Sequence, residues 1–72
     1  HTHVSPGAVI GGGVRIGRRS HVGIGAVVRQ GITIGDDVTV GAGAVVVDDV
    51  AAGSTVVGVP ARALDLTRVI GR

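Results

Sequence analysis

Proton transfer near neutral pH is the chemistry best suited to His1, His3 and His21. Two carboxylate pairs, Asp36-Asp37 and Asp48-Asp49, are the other candidates for acid/base work. Neither pair has a histidine close to it in the repeat described below, and Asp36-Asp37 follows Gly35 at a coil corner, so a solvated turn accounts for that pair. The chain has no Cys, which removes thiol nucleophiles, disulfides and the commonest zinc sites. It also lacks a phosphate loop, a serine nucleophile elbow and a dinucleotide-binding fingerprint. Gly11-Gly12-Gly13 reads as turn chemistry.

Composition narrows the class further. The 72 residues allow one small domain. Hydrophobic residues make up 44%, yet Phe, Trp, Tyr and Met are absent and 14 residues are Gly. A compact globule of this size normally relies on large rings, so an ordinary globular core is excluded. The pI of about 11.2 imitates that of a nucleic-acid binder. It arises because all seven basic residues are Arg, with nothing to titrate between His and Arg, while the net charge is only +2. Without aromatics to stack on bases, no nucleic-acid partner is expected. No apolar run reaches the ~20 residues of a membrane span and no leader is visible, so the chain is expected in the cytoplasm, with no membrane partner. Its first residue is His1, so it is expected to be a piece of a longer protein.

A repeat organises the whole chain. Every sixth residue from Val4 is apolar: Val4, Ile10, Ile16, Val22, Val28, Ile34, Val40, Val46 and Ala52. The next position is Gly in six of nine cases, at Gly11, Gly17, Gly23, Gly35, Gly41 and Gly53. Four after each column residue, from Ala8 through Val56, stands a small or β-branched residue. β-branched residues favour extended backbone, and glycine permits turns that a Cβ would obstruct. A six-residue period drifts around a 3.6-residue helical turn, so a helix is excluded. Self-similarity at this period marks a β-solenoid. Three hexapeptides close one triangular coil, which predicts stacked coils over 4–21, 22–39 and 40–57, about 4.8 Å apart. Asp48-Asp49 interrupts the last of them and is expected to loop outward. General chirality rules favour right-handed crossovers, and the pattern itself does not set the hand.

Residues 1–60 are thus the repeat domain and 61–72 a tail. Pro60 is expected to stop the β pattern. Beyond it, Ala61, Leu64 and Arg68 are spaced for one face of a short helix that covers the end of the stack. The end at His1 has no cap, which points to further coils before it and to association of copies side by side.

His3-Val4-Ser5-Pro6-Gly7-Ala8, Gly41-Ala42-Gly43-Ala44-Val45-Val46-Val47 and Val56-Val57-Gly58-Val59-Pro60-Ala61-Arg62 resemble the left-handed β-helix acyltransferases with hexapeptide repeats. The resemblance spans residues 1–62 and is nearest to bacterial sugar acetyltransferases, such as sialic acid O-acetyltransferase and the nucleotide-amino-sugar N-acetyltransferases. It implies an all-β fold: a single-stranded left-handed parallel β-helix of three 18-residue coils. It also implies a homotrimer that holds acetyl-CoA between neighbouring prisms and acetylates a hydroxyl or amine of a sugar or nucleotide-sugar.

By position, the resemblance places cofactor contacts at His3, Gly12, Ile24 and Ala42, with Arg62 near a phosphate. Ile24 and Ala42 are 18 residues apart and would stack on successive coils. The plainer reading makes Gly12 and Ala42 turn residues and Arg62 a solvated charge. In the resembling enzymes the catalytic His lies about half a coil before the position of His3, outside this chain. His3 matches a second histidine beside the acetyl end of the cofactor, and is the catalytic candidate here as an auxiliary or substitute base. His21 stacks one coil above His3, where it extends a polar groove or is simply a surface residue. Zinc-type carbonic anhydrases share the coil pattern but space their histidines differently, so no metal is expected. A non-catalytic β-solenoid that trimerises or scaffolds its parent is the competing reading, and affinity for acetyl-CoA separates the two.

Overall fold

The computed structural model describes residues 2–64. Two-residue strands recur at the period of the repeat: β1 (His3–Val4), β2 (Val9–Ile10), β3 (Arg15–Ile16), β4 (His21–Val22), β5 (Val27–Val28), β6 (Thr33–Ile34), β7 (Thr39–Val40) and β8 (Val45–Val46). Then follow β9 (Thr55–Val57) and β10 (Arg62–Ala63). Neighbouring residues of a strand point to opposite sides. From β4 to β7, the first residue of each strand is accordingly exposed and the second, a Val or Ile of the six-residue column, is buried.

Strands β1 to β9 pair in parallel as the repeat requires, each with the strand one coil away, so the fold is a parallel β-helix. Face A holds β1, β4, β7, β9 and β10 in that order, face B holds β2, β5 and β8, and face C holds β3 and β6. The parallel register steps by 18 residues: His3 against His21, His21 against Thr39, Val9 against Val27, Val27 against Val45, and Arg15 against Thr33. Val22, Val28, Ile34, Val40 and Val46 fill the interior with Ala26, Ile32, Val38 and Ala44 from the corners. Two polar residues are buried with them: Ser5, 8% exposed, and the more enclosed Ser20, 1% exposed. The Ser20 hydroxyl donates to the Gly35 carbonyl at 2.7 Å and accepts the Val38 N–H at 3.1 Å, so both its roles are satisfied. Burial is asymmetric along the axis. Val4 is 43% exposed and Ile10 and Ile16 are half-buried, so the dry core begins at Val22.

Three expectations are corrected. The third coil is two residues shorter than the others, because Val50 bridges Ile34 and Val56 pairs with Val40, both at a step of 16. Ala52 therefore leaves the inward column and is exposed, and Val50 and Val56 take up inward positions. The slip falls at Asp48-Asp49. Both side chains are exposed, but Asp49 also carries part of the ladder: its Oδ1 accepts the Thr33 N–H at 2.8 Å, a bond that a backbone carbonyl makes in the regular coils.

Most of the glycines fall into two sets with different physical causes. Gly7, Gly13, Gly25, Gly31, Gly43 and Gly53 have φ between +69° and +79°, the left-handed region that penalises a Cβ. The column after the strand has another reason. A Cβ on Gly11, Gly17, Gly23 or Gly35 would lie 2.5–2.7 Å from a backbone nitrogen of the next coil. Close coil stacking, rather than turn conformation, requires glycine there.

The end of the stack is the third correction. At Ala61–Ala63 the chain pairs rather than coils into a helix: β10 runs antiparallel to β9, with Arg62 opposite Val57 and Ala63 opposite Val56. Leu64 N–H donates to the Thr55 carbonyl at 2.7 Å, and Ala61 N–H to that of Val45 at 2.8 Å. Pro60 thus interrupts the β pattern without ending it, and a hairpin covers the last strand edge of face A. Arg68 and the rest of the suggested helix lie outside the described residues.

Candidate functional site

Each face presents a different set of outward side chains, because outward positions are free of the core's demand for Val and Ile. Face A shows His3, His21, Thr39 and Thr55; face B shows Val9, Val27 and Val45; face C shows Arg15 and Thr33. Between the faces run three corners. Pro6, Ile24 and Ala42 stack along the first, as Gly25 N–H to Pro6 O (3.4 Å) and Gly43 N–H to Ile24 O (2.8 Å) record. Gly12 and Gln30 lie on the second, where Gly31 N–H donates to Gly12 O at 2.9 Å. Arg18, Asp36 and Ala52 lie on the third.

Four of the five expected contact residues lie on face A or its adjoining corner. His3 stands on β1 and Arg62 on β10, at opposite ends of the face A sheet. Four strand spacings separate them, about 19 Å. Ile24, 65% exposed, and the exposed Ala42 line the adjoining corner between those ends. Gly12 is not with them: it sits across face B, beyond Val9 and Ile10, on the second corner. A Cβ placed on Gly12 meets nothing within 4 Å, so no packing contact within this chain requires glycine there.

The histidines form a pair that the 18-residue register implied and side-chain geometry completes. The rings of His3 and His21 are stacked, with centroids 4.8 Å apart and planes inclined by 20°. Ser5, 8% exposed, places its Oγ 3.4 Å from His21 Nε2. No carboxylate hydrogen-bonds to either ring among the described residues. The described residues also contain no group of three or more His, Cys, Asp or Glu able to hold a metal ion, and the single chain shows no pocket over them.

Asp36 and Asp37 serve the third corner, and neither makes a hydrogen bond to a histidine among the described residues. Asp36 Oδ1 accepts the Arg18 N–H at 2.7 Å. Asp37 binds the Arg19 guanidinium through both oxygens, at 2.7 and 2.9 Å, in an exposed bridge between coils. Arg19 and Asp37 both have φ near +55°, at the corner position that glycine occupies elsewhere. The hydrogen bond from Arg19 holds the Asp37 carboxyl below its ordinary range, and the same bond raises Arg19. A lowered folded-state value means that this bridge stabilises the fold above the ordinary aspartate range and is lost as pH falls through the depressed value. The thermal midpoint of the native chain should exceed that of Asp37→Asn slightly at pH 6, and the gap should close in acid. A gap that is constant from pH 6 to pH 2 would contradict the ionic origin. Asn tolerates the left-handed backbone, so the comparison isolates charge.

A family model described as bacterial transferase hexapeptide (six repeats) matches residues 13–48, half of the chain. Among solved structures, the acetyltransferase domain of PglB from Neisseria gonorrhoeae FA1090 is 52% identical with a TM-score of 0.86, over 88% of this chain and 31% of that one. The same domain has been solved in complex with acetyl coenzyme A. PerB from Caulobacter crescentus, in complex with CoA and GDP-perosamine, is 40% identical with a TM-score of 0.85, over 89% of this chain and 33% of that one. A maltose O-acetyltransferase from Clostridium difficile 630 is 42% identical with a TM-score of 0.70, over 72% of this chain and 28% of that one. The chain thus spans about a third of the length of these proteins. A search of the curated proteins finds no match. The hexapeptide register, the coils paired in parallel and the match over half the sequence agree: the chain belongs to the bacterial transferase hexapeptide family.

Proposed function

We propose that this chain is the donor-binding β-helix of an acetyltransferase that moves an acetyl group from acetyl-CoA to a hydroxyl or amine of a sugar or nucleotide-sugar. The observation that carries the reading is the line along face A and its corner, from His3 past Ile24 and Ala42 to Arg62. A long flexible arm with a thioester at one end and phosphates at the other fits such a line. The exposed guanidinium of Arg62 suits a phosphate, and the corner backbone groups suit amides. The likeness to acetyltransferases solved with acetyl coenzyme A and with CoA supports the choice of donor.

Transfer is direct. A base removes the proton of the acceptor O–H or N–H, the freed lone pair attacks the thioester carbonyl, the C–S bond breaks and CoA leaves as the thiol after protonation. We assign His3 to the acetyl end of the donor, as an auxiliary base. A principal base is ordinarily oriented by a third group, and no carboxylate orients His3 among the described residues. Assembly as a homotrimer is part of the proposal. Val9 and Val27 leave apolar surface on face B, 59% and 37% exposed, and Gly12 on its far corner meets the donor most simply from a neighbouring copy. A cytoplasmic location goes with a reaction fed by acetyl-CoA. The competing reading is a non-catalytic module that trimerises or scaffolds its parent.

Measurement of mass in solution followed by calorimetric titration with acetyl-CoA separates them. The donor-site reading expects a trimer with saturable binding, about tenfold weaker in Arg62→Ala, equivalent to ~1.4 kcal/mol. Gly12→Leu should also weaken binding without lowering the thermal midpoint. A trimer that takes up no acetyl-CoA overturns the donor site and leaves the scaffold.

A further inference from the structure

We propose that His21 is a positioning residue for His3, itself anchored by the Ser5 hydroxyl; the inference rests on the donor-site reading given above. His3 lies on β1, the terminal strand of the face A sheet. Its only cross-strand neighbour is His21, and its ring makes no side-chain hydrogen bond among the described residues. An exposed imidazole in that position is free to turn about both side-chain torsions, which would spread its nitrogens over many directions. The stack on His21 restricts that freedom, because two flat rings one strand spacing apart gain contact in only a few relative orientations, and the pair adopts the stacked one.

His21 needs its own restraint to serve as a platform, and Ser5 supplies it. Thr39 is the partner of His21 on the next strand. Ser5 is the fixed point: it is 8% exposed, and its N–H donates to the Val22 carbonyl at 2.9 Å, which locks its backbone to the second coil. Its Oγ lies 3.4 Å from His21 Nε2, where a hydroxyl can donate to a bare ring nitrogen or accept from a protonated one. Restraint therefore passes from Ser5 to His21 to His3, from the interior to the exposed edge where the acetyl end of the donor would lie. His3 and His21 stand one 18-residue step apart on paired strands, so the arrangement exists only when those strands are in register.

Nuclear magnetic resonance and calorimetry together test this on the full chain. In the native chain the ring protons of His3 should show cross-ring contacts with His21 and an upfield ring-current shift. His21→Ala should abolish both and raise the dissociation constant for acetyl-CoA about two- to tenfold, the effect of immobilising one side chain. His21→Phe, which keeps a flat ring, should restore both readouts, and Ser5→Ala should weaken them with His21 left in place. Thermal midpoints separate positioning from folding: the His21 variants should melt with the native chain. Native-like acetyl-CoA affinity in His21→Ala overturns the positioning role alone. If the native chain fails to bind acetyl-CoA, the donor-site reading falls and this role falls with it.

Discussion

Replacing Gly23 by Ala should lower the thermal midpoint by roughly 5–20 °C, the equivalent of ~1–3 kcal/mol of overpacking in a domain this size. The new Cβ would lie 2.7 Å from the Ala42 nitrogen, 2.8 Å from the Val40 oxygen and 2.9 Å from the Gly41 carbonyl carbon. All three are backbone atoms, so no side chain can swing aside, and relief requires the second and third coils to separate. Separation would stretch the Gly23 N–H to Val40 carbonyl bond, now 2.8 Å, and open the dry interior beneath it. Gly12→Ala is the matched control. Its Cβ meets nothing within 4 Å and its backbone is not left-handed. It should leave stability unchanged or raise it by ~0.4–1 kcal/mol through the unfolded chain. Circular dichroism melting of the two variants decides the matter, and equal midpoints would refute the close-stacking account.

Ile34→Ala should be comparably damaging for the opposite reason, since it removes atoms from the core. Ile34 is 1% exposed and lies between Ile16 of the first coil and Val50 of the third. Deletion of a buried aliphatic side chain costs ~2–5 kcal/mol through lost burial and an unfilled cavity. Small domains have total stabilities of ~5–15 kcal/mol. The loss is therefore a large fraction of the whole, and partial unfolding at 37 °C is expected. Ile34→Val should cost only ~0.5–1.5 kcal/mol. Urea unfolding of both variants tests the size of the step. An alanine variant no weaker than the valine variant would show that the interior collapses freely around residue 34.

These two effects come from the same geometry. Coils stacked at strand spacing leave room for hydrogen bonds and no room for a Cβ above Gly23, while the interior accepts branched aliphatic residues on every side. The absence of aromatic residues follows that pattern: apolar residues recur every six positions, each on a separate short strand, and medium-sized branched side chains suit the narrow interior. The histidines are treated differently by this scaffold. Outward positions carry no packing demand, so His3 and His21 can share a column with Thr39 and Thr55.

Much of this was legible in the residue order alone. The six-residue column from Val4 to Val46 determined strand positions, parallel pairing and the 18-residue step, because side-chain direction alternates along a strand and three strands close a coil. It also placed His3 beside His21 and Ile24 beside Ala42. Tertiary structure alone decided the rest. Ala52 kept the column's period in sequence but lost its inward place, since pairing of Val50 and Val56 shortened the third coil. That choice depends on which register buries more apolar surface across coils, a comparison that local pattern cannot make. The hairpin at β10 likewise depended on a free strand edge at β9, beyond the reach of local propensity in residues 61–64. Gly12 looked like part of one site and stands a face away from its expected companions, because the repeat encodes height along the axis more clearly than which residues meet across a groove. The contact of Ser5 with His21 required side-chain positions that spacing does not contain. Period and polarity along the chain thus specified the coils, while approach between coils and around the prism specified the site.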